Sequence, residues 1–203
     1  VLSAALTTSA VVPGTISESW SGTQIIPDNN ASGVSFSFNV AAGGPLLITN
    51  VEVSLNIVGG WNGDLYAYLS HGSGFSVLLN RVGRTTGNSA GAGVSGMNLS
   101  LSDSYLTDVH TAPNNPLTGN FAPDGRFVDP FAAVDTDART AFLSGFNGLD
   151  ANGTWTIFFA DVAPLATSSL QSWTVNLGVA PVVPEPGGAA LFGLACLFYT
   201  TRR

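Results

Sequence analysis

Two runs of alternating side chains near the end of the chain constrain its fold more than any other feature. They span residues 153–161 and 172–177, and in each run every second side chain is bulky and apolar. A period of two is typical of a β-strand that buries one face, so we expect Trp155 and Trp173 to lie in a core. The polar segment 163–169 between the runs predicts that the two strands form the closing pair of an antiparallel sheet.

The same alternation recurs along the rest of the chain. Hydrophobic residues make up 45% of the sequence, whereas its 24 glycines and its lack of lysine disfavour long helices. About eight strands with turns at roughly ten-residue intervals predict an all-β fold, a two-sheet antiparallel β-sandwich of the jelly-roll type. The alternation is clear over residues 34–40, 51–57, 65–69, 75–79 and 97–101.

Three segments interrupt this pattern. Residues 82–96 are rich in glycine and predict a mobile loop. Residues 139–146 predict a single helical turn. Residues 102–137 form a long irregular stretch, which is typical of a functional loop or of a loop anchored by its own aromatic side chains. The aromatic side chains in that stretch include Phe121, Phe127 and Phe131.

The charge balance limits the classes of partner. The formal net charge is −7, and the six basic residues are all arginine. Such a chain has no basic stripe to neutralise phosphates, which argues against nucleic-acid binding. A single cysteine, Cys196, provides no intramolecular disulfide.

Both ends of the sequence carry patterns of export. Residues 1–10 end in small side chains, as at the cleavage site of a signal peptide, although an ordinary first strand is the alternative. Residues 181–203 begin with a Pro-rich break and continue as an apolar run over residues 187–199. A helix of that run spans about 20 Å, short of the ~30 Å hydrocarbon core. We therefore expect a short hydrophobic C-terminal helix that spans a membrane only marginally.

Three features of this tail stand in a specific order. Pro184, Glu185 and Pro186 come first, the apolar run follows, and Arg202 and Arg203 close it. Together they resemble the PEP-CTERM sorting signal of Gram-negative, exopolysaccharide-producing bacteria. The resemblance implies export, recognition of the Pro-Glu-Pro motif by an exosortase, transient anchoring in the membrane, and a final location at the cell surface or in the extracellular matrix. Residues 11–180 are then the folded domain.

Three further blocks lie between residues 43 and 179. They are residues 48–65, which end in Trp61-Asn62-Gly63-Asp64-Leu65, the hairpin-like segment 69–80, and the segments 146–155 and 170–175. These blocks resemble the P domain, or P/Homo B domain, that follows the catalytic domain in proprotein convertases and many bacterial subtilisin-like proteases. The resemblance implies a jelly-roll β-sandwich and a role in stabilising or assisting an attached serine protease.

The sequence does not predict an enzyme. A serine protease needs a serine, a histidine base and a carboxylate brought together, and only His71 and His110 can supply the base. No nucleophile motif follows His71, and we expect both histidines to be exposed loop residues. We assign Gly63 and Asp64 a structural role, in which the Asp64 carboxylate accepts backbone N–H groups of its own turn.

Acidic side chains cluster in the long irregular stretch. Carboxylate oxygens suit Ca²⁺, so one prediction is a calcium site, and the alternative is a set of solvated carboxylates that cap turns. The candidate ligands are Asp124, Asp129, Asp135 and Asp137, with Asp108 earlier in the same stretch.

Three functions remain open from the sequence. The leading prediction is an exported, non-catalytic module with a structural or binding role at the cell surface or in the matrix. The first alternative is an accessory domain of a subtilisin-like serine endopeptidase, and the second is a matrix protein that binds exopolysaccharide. For the second, Trp61, Tyr66 and Tyr68 would form an aromatic sugar-binding strip. Packing between strands is the other explanation for these three side chains.

Overall fold

The computed structural model describes residues 14–112 and 116–182, and this part of the chain contains nine β-strands. In chain order they are β1 (Gly14–Ile26), β2 (Asn30–Val40), β3 (Leu46–Gly59), β4 (Leu65–His71), β5 (Gly74–Asn80), β6 (Met97–Leu101), β7 (Leu117–Phe121), β8 (Gly153–Asp161) and β9 (Ser168–Pro181). Short 3₁₀ helices cover Asn62–Asp64, Val109–Thr111 and Leu143–Phe146.

The strands form two sheets that pack face to face. The first has five strands in the order β1-β9-β3-β6-β7, and the second has four in the order β2-β8-β4-β5. Neighbouring strands are antiparallel, apart from the parallel pair β6 and β7. The predicted all-β, two-sheet sandwich is therefore confirmed. The hairpin predicted around residues 71–74 joins β4 to β5 through Gly72-Ser73, and a φ of +56° at Gly72 shows why glycine is needed there.

The predicted pairing of the two tryptophan strands is wrong. β8 pairs with β2 and β4, whereas β9 pairs with β1 and β3, so the two strands lie in opposite sheets. The connection after Asp161 leads from one sheet to the other instead of closing a hairpin. The physical reason is burial, because two bulky strand faces cover each other only when they meet across the sandwich.

The core lies between these two faces. Trp155 is 0% exposed and Trp173 is 4% exposed. The ring of Phe38 on β2 stacks on both indoles, with centroid distances of 6.0 Å to Trp155 and 5.6 Å to Trp173. Trp155 also donates its Nε1 hydrogen to the Ala151 carbonyl at 3.0 Å, which satisfies its one polar group.

Parts of the predicted loops are ordered against the sandwich. β7 lies inside the stretch that the sequence predicted to be irregular. Its five residues do not alternate between buried and exposed positions, so the periodicity that identified the other strands is absent here. The Gly-rich segment 82–96, expected to be mobile, packs against the 3₁₀ helix Asn62–Asp64, where Gly63 donates its N–H to the Ala92 carbonyl at 2.9 Å. A Cβ at Gly63 would lie 2.5 Å from the Ala92 nitrogen, so this close approach requires glycine. The predicted helical turn appears as Leu143–Phe146.

The long segment between β7 and β8 covers the free edge of β5. Asp124 and Gly125 donate their N–H groups to the carbonyls of Leu78 and Val77, at 3.1 and 2.9 Å. Val77 in turn donates to Ala141 at 3.1 Å. These contacts occupy backbone groups that an open edge strand would otherwise offer to another chain.

Three sequence predictions concern residues outside this description. The signal-peptide end at residues 1–10 and the sorting motif of Pro184, Glu185, Pro186, Arg202 and Arg203 lie outside the described residues, as does the hydrophobic C-terminal helix. Within residues 14–112 and 116–182, no helix has the length and apolar character that a membrane crossing requires.

Candidate functional site

The outer surface of the four-stranded sheet is aromatic. Its period-two pattern turns Tyr66, Tyr68 and Phe158 away from the core, and the start of β5 adds Phe75. The Tyr68 ring lies 4.8 Å from Phe158 and 5.1 Å from Phe75. Phe127, from the long segment, lies 5.2 Å from Phe75. We call these five side chains, Tyr66, Tyr68, Phe75, Phe127 and Phe158, the aromatic face.

A cleft of about 510 Å³ opens beside this face. Tyr66 and Phe127 line it from the aromatic face, and Asp129 and Phe131 line it from the long segment. Phe127 is 66% exposed and Phe131 is 58% exposed. The sequence predicted either a functional loop or a loop anchored by its own aromatic side chains, and of the three phenylalanines only Phe121 is buried as an anchor would be.

The backbone that carries the two exposed rings is held by side chains from the sandwich. Asn80, at the end of β5, donates from Nδ2 to the carbonyls of Arg126 and Val128, both at 3.1 Å, and so fixes both neighbours of Phe127. Arg84 donates from Nη1 to the carbonyls of Pro130 and Ala133, both at 3.1 Å. The rings of Phe127 and Phe131 therefore stand exposed on an ordered support.

Asp129 completes this support from within the loop. Its Oδ1 accepts the N–H of Phe131 at 2.9 Å, which closes a local turn around Pro130. The side chain itself is exposed and lines the cleft. Asp129 thus fixes the position of Phe131 and places a carboxylate beside it.

A buried ionic network lies behind the cleft. His110 Nδ1 is 2.8 Å from Asp124 Oδ2, and His110 Nε2 is 2.8 Å from the Arg84 carbonyl oxygen. Arg126 donates to Asp124 at 3.3 Å and to Asp108 at 2.9 Å. Burial acts to lower the pKa of His110, but the hydrogen bond to Asp124 and its charge outweigh burial and raise that pKa.

Both histidines differ from their predicted place in exposed loops. His110 is 0% exposed and His71 is 7% exposed. His71 stacks on Trp155 at a centroid distance of 4.2 Å, with Nδ1 at 3.0 Å from the Thr154 oxygen and Nε2 at 2.7 Å from the Asp150 oxygen. Each ring nitrogen of both histidines faces an acceptor, so neither ring is free to take a proton from a serine hydroxyl.

Asp64 forms a different contact from the one predicted for its turn. Its carboxylate is buried 3.8 Å from Arg81, whose Nε donates to the Gly63 carbonyl, and Asp64 Oδ2 has no hydrogen-bond donor within reach. The expected caps by backbone N–H groups are therefore replaced by an ion pair. Burial raises the pKa of Asp64, and the positive charge of Arg81 opposes that rise.

Asp161, at the end of β8, is a second buried carboxyl close to this pair. Burial raises its pKa to about 6, the N–H of Ala163 opposes the rise, and the charge of Asp64 adds to it. Its Oδ1 accepts the Ala163 N–H at 3.4 Å, whereas Oδ2 has no partner. Because Asp64 and Asp161 lie near a single cation, Arg81, which pairs with Asp64 only, this corner of the sandwich holds an excess of buried acid.

The four predicted calcium ligands occupy separate environments. Asp124 belongs to the buried network, Asp129 and Asp137 accept backbone N–H groups of their own turns, and the Asp135 carbonyl accepts Arg126. Among the residues that the structure describes, no three His, Cys, Asp or Glu side chains are grouped closely enough to hold a metal ion. Calcium binding stays a prediction, which unfolding curves recorded with and without a chelator test.

The comparisons with known proteins find similarity in the backbone structure only. No protein family and no curated protein matches the sequence. The crystal structure of the Aeromonas sobria serine protease in complex with the chaperone ORF2 matches with a TM-score of 0.45 and 18% identity, over 85% of this chain and 28% of that chain.

A crystal structure of the serine protease of Aeromonas sobria matches with a TM-score of 0.43 and 17% identity, over 82% of this chain and 27% of that chain. This chain thus spans less than a third of either protein. Likeness at this level carries no function, because one sandwich architecture serves many unrelated activities.

Proposed function

We propose that this chain is a non-catalytic binding module that engages its partner through the aromatic face and the adjoining cleft. One observation carries the proposal: Phe127 and Phe131 are exposed on a backbone that the buried Asn80 and the half-buried Arg84 hold in place. Exposed apolar patches on soluble domains mark interaction sites. A contact surface that is already ordered loses little entropy on binding, which favours affinity.

The environments of the two histidines support the non-catalytic part of the proposal. His71 lies between two backbone carbonyls, and His110 lies between a carbonyl and Asp124. A general base needs a nitrogen within reach of the nucleophile that it activates. In this chain all four ring nitrogens are used for internal contacts.

We further propose that the module is exported and sorted by its tail. The order of Pro184-Glu185-Pro186, the apolar run and Arg202-Arg203 supports this, and it implies an exosortase as processing partner. Expression of the gene in a bacterium with an exosortase tests it. The intact protein is expected in the membrane fraction only transiently, and replacement of Pro184, Glu185 and Pro186 by alanine is expected to trap it there. Identical fractionation of the two forms would remove the sorting role.

The alternative is an accessory domain of a subtilisin-like serine endopeptidase. The P-domain resemblance favours it, since its three blocks form one connected part of the sandwich: the Asp64 corner, the β4–β5 hairpin, and strands β8 and β9. The gene sequence upstream of Val1 separates the two proposals. A subtilase domain encoded there supports the accessory role, and a start codon within about 20 codons supports the independent module.

The binding role is tested with arrays of glycans and of acidic, neutral and basic peptides. Any ligand that the chain retains is expected to be lost by the double variant Phe127→Ala/Phe131→Ala, whose side chains leave the fold intact because they are exposed. The matched control is Ile25→Ala/Val58→Ala, which removes two exposed apolar side chains from the other sheet. Retention by the double variant, or no ligand in any array, contradicts the proposal.

A further inference from the structure

The arginines of the described residues are all engaged in contacts within the chain. Residues 14–112 and 116–182 contain four arginines: Arg81, Arg84, Arg126 and Arg139. Arg81 and Arg126 pair with buried carboxylates, and Arg84 and Arg139 donate to backbone carbonyls. The chain as a whole carries a formal charge of −7. The surface that it presents to a partner is therefore acidic, which favours cationic partners over anionic ones.

The cleft beside the aromatic face has the same sign. Asp129 is its one carboxylate, and its other lining residues are aromatic or apolar. Burial is the main cause that raises the pKa of Tyr66 to about 12, and the charges of Tyr68, Asp124 and Asp129 add to the rise. Asp129 uses Oδ1 for the turn and leaves Oδ2 free to meet a ligand.

A guanidinium group matches both properties of the cleft. It is planar, stacks on aromatic rings and pairs with carboxylates, and it is less strongly hydrated than an ammonium group. We propose that the cleft receives an arginine side chain from an exposed basic segment of a partner protein, stacked on Phe127 or Phe131 and paired with Asp129. This inference rests on the binding role proposed above and names the chemistry of the partner.

The test uses the full chain and three peptides that differ in one group. The first is acetyl-Gly-Arg-Gly-Arg-Gly-amide, the second replaces arginine by lysine, and the third replaces it by citrulline, which keeps the shape of arginine but not its charge. Isothermal titration at low salt is expected to show the arginine peptide binding a few-fold more tightly than the lysine peptide, because the guanidinium also stacks. The citrulline peptide is expected to bind roughly tenfold more weakly or not at all.

Two substitutions separate charge from stacking. Asp129→Asn keeps an oxygen for the Phe131 N–H but removes the charge, and it is expected to weaken the arginine peptide about five- to tenfold. Phe131→Leu and Phe127→Leu keep apolar bulk but remove the ring, and each is expected to cost roughly two- to fivefold. The control is Glu18→Gln, which removes one charge from β1 in the other sheet and is expected to leave affinity unchanged.

Each other outcome overturns the inference in a recognisable way. An equal loss in Glu18→Gln and Asp129→Asn shows diffuse attraction to the acidic chain instead of a site. Full affinity in both Phe→Leu variants shows plain apolar docking. A glycan that binds through Phe127 and Phe131, with no preference for arginine peptides, overturns the inference but leaves the binding module standing. If no peptide or glycan depends on those two rings, both proposals fail.

Discussion

The two sheets bury similar faces but present opposite surfaces to solvent. Across the middle of the five-stranded sheet, the outward side chains form a row that is small and polar: Ser19 faces Thr174, Thr174 faces Ser54, and Ser54 faces Ser100. On the four-stranded sheet, the matching positions hold Tyr68 and Phe158. Both inward faces pack in the core, so the two sheets differ in their outward faces.

The long segment between β7 and β8 adds further exposed rings on the aromatic side of the sandwich. It runs along the edge of β5, and its phenylalanines extend the aromatic face with Phe127 and the cleft with Phe131. The buried network of Asp124, His110 and Arg126 holds it there. An aromatic surface and an anchored loop thus occur together, which is the arrangement expected of a binding site built on a rigid scaffold.

Removing the anchor is the strongest way to break this comparison. Asp124→Ala leaves Arg126 and His110 buried without their shared carboxylate, and removal of one partner from a buried ionic network typically costs about 3–5 kcal/mol. We expect a loss of that size in the free energy of unfolding, measured by urea denaturation. We also expect faster proteolysis within residues 122–140, because the loop loses its support.

The control for this variant is Ser19→Ala, an exposed position on the outward face of the five-stranded sheet, with an expected change within about 0.5 kcal/mol. If Asp124→Ala is as stable as the wild type, the loop is held by its backbone contacts to β5 and by the side chains of Asn80 and Arg84. In that case the ionic network would have no part in positioning the exposed rings.

Substitution of Asp161 gives the next largest effect, and it is expected to raise the free energy of unfolding instead of lowering it. Its folded pKa of about 6 lies above the ordinary value of 3.8, so its contribution to stability is complete below pH 3.8 and is lost as pH rises through 6. Asp161→Asn removes the buried charge and keeps an oxygen for Ala163. We expect it to raise the free energy of unfolding at pH 7 by up to about 3 kcal/mol relative to the wild type.

Urea unfolding of both proteins between pH 3.5 and 8 measures this difference. The gap is expected to grow between about pH 4 and 6 and then to level off. A gap that stays constant over this range would show that Asp161 is not protonated preferentially in the folded state. Because Asp161 is buried, Asp161→Asn is expected to leave the outward faces of both sheets unchanged.

Local periodicity predicted the strands, while contacts distant in sequence decided the rest. Alternation identified β8 and β9, but it did not show that they lie in opposite sheets, because the choice between hairpin and crossover depends on what the other strands cover. His110 was predicted to be exposed because the two residues that it contacts, Asp124 and Arg84, lie 14 and 26 residues away in the sequence. The cleft was missed for the same reason, since Asn80 and Arg84 anchor it from another part of the chain.

A further prediction concerns Asp64, whose carboxylate is buried, in contrast to the exposed carboxylate of Asp129 in the cleft beside the aromatic face. Asp64→Ala deprives Arg81 of its ion pair, but it also removes a carboxyl whose burial raises its own pKa. These effects partly cancel, so we expect a net loss of about 1–2 kcal/mol, below the cost of breaking a fully paired buried ion pair. A drop of several degrees in melting temperature corresponds to this loss in a domain of this size.

Asp64→Asn is the companion variant, since it keeps the shape and loses the charge. If the ion pair matters, Asp64→Asn is expected to be destabilised like Asp64→Ala. An Asn variant that melts at the wild-type temperature would show that side-chain volume, and not the pairing with Arg81, is what the corner needs.

The smallest effect compares the outer faces directly, with one substitution in each. Tyr68→Ala removes ring contacts with Phe158, Phe75 and Tyr66, and aromatic pairs contribute about 0.5–1.5 kcal/mol beyond simple burial, so we expect a loss near 1–2 kcal/mol in urea unfolding. Ser54→Ala removes a 3.1 Å hydroxyl contact with Ser100, and its expected cost is below about 0.5 kcal/mol because water replaces that contact. Equal losses would mean that the two faces differ in composition but not in energetics. In that case the aromatic face would serve only packing between strands, and the binding role would rest on Phe127 and Phe131 alone, whose exposure the sandwich does not need.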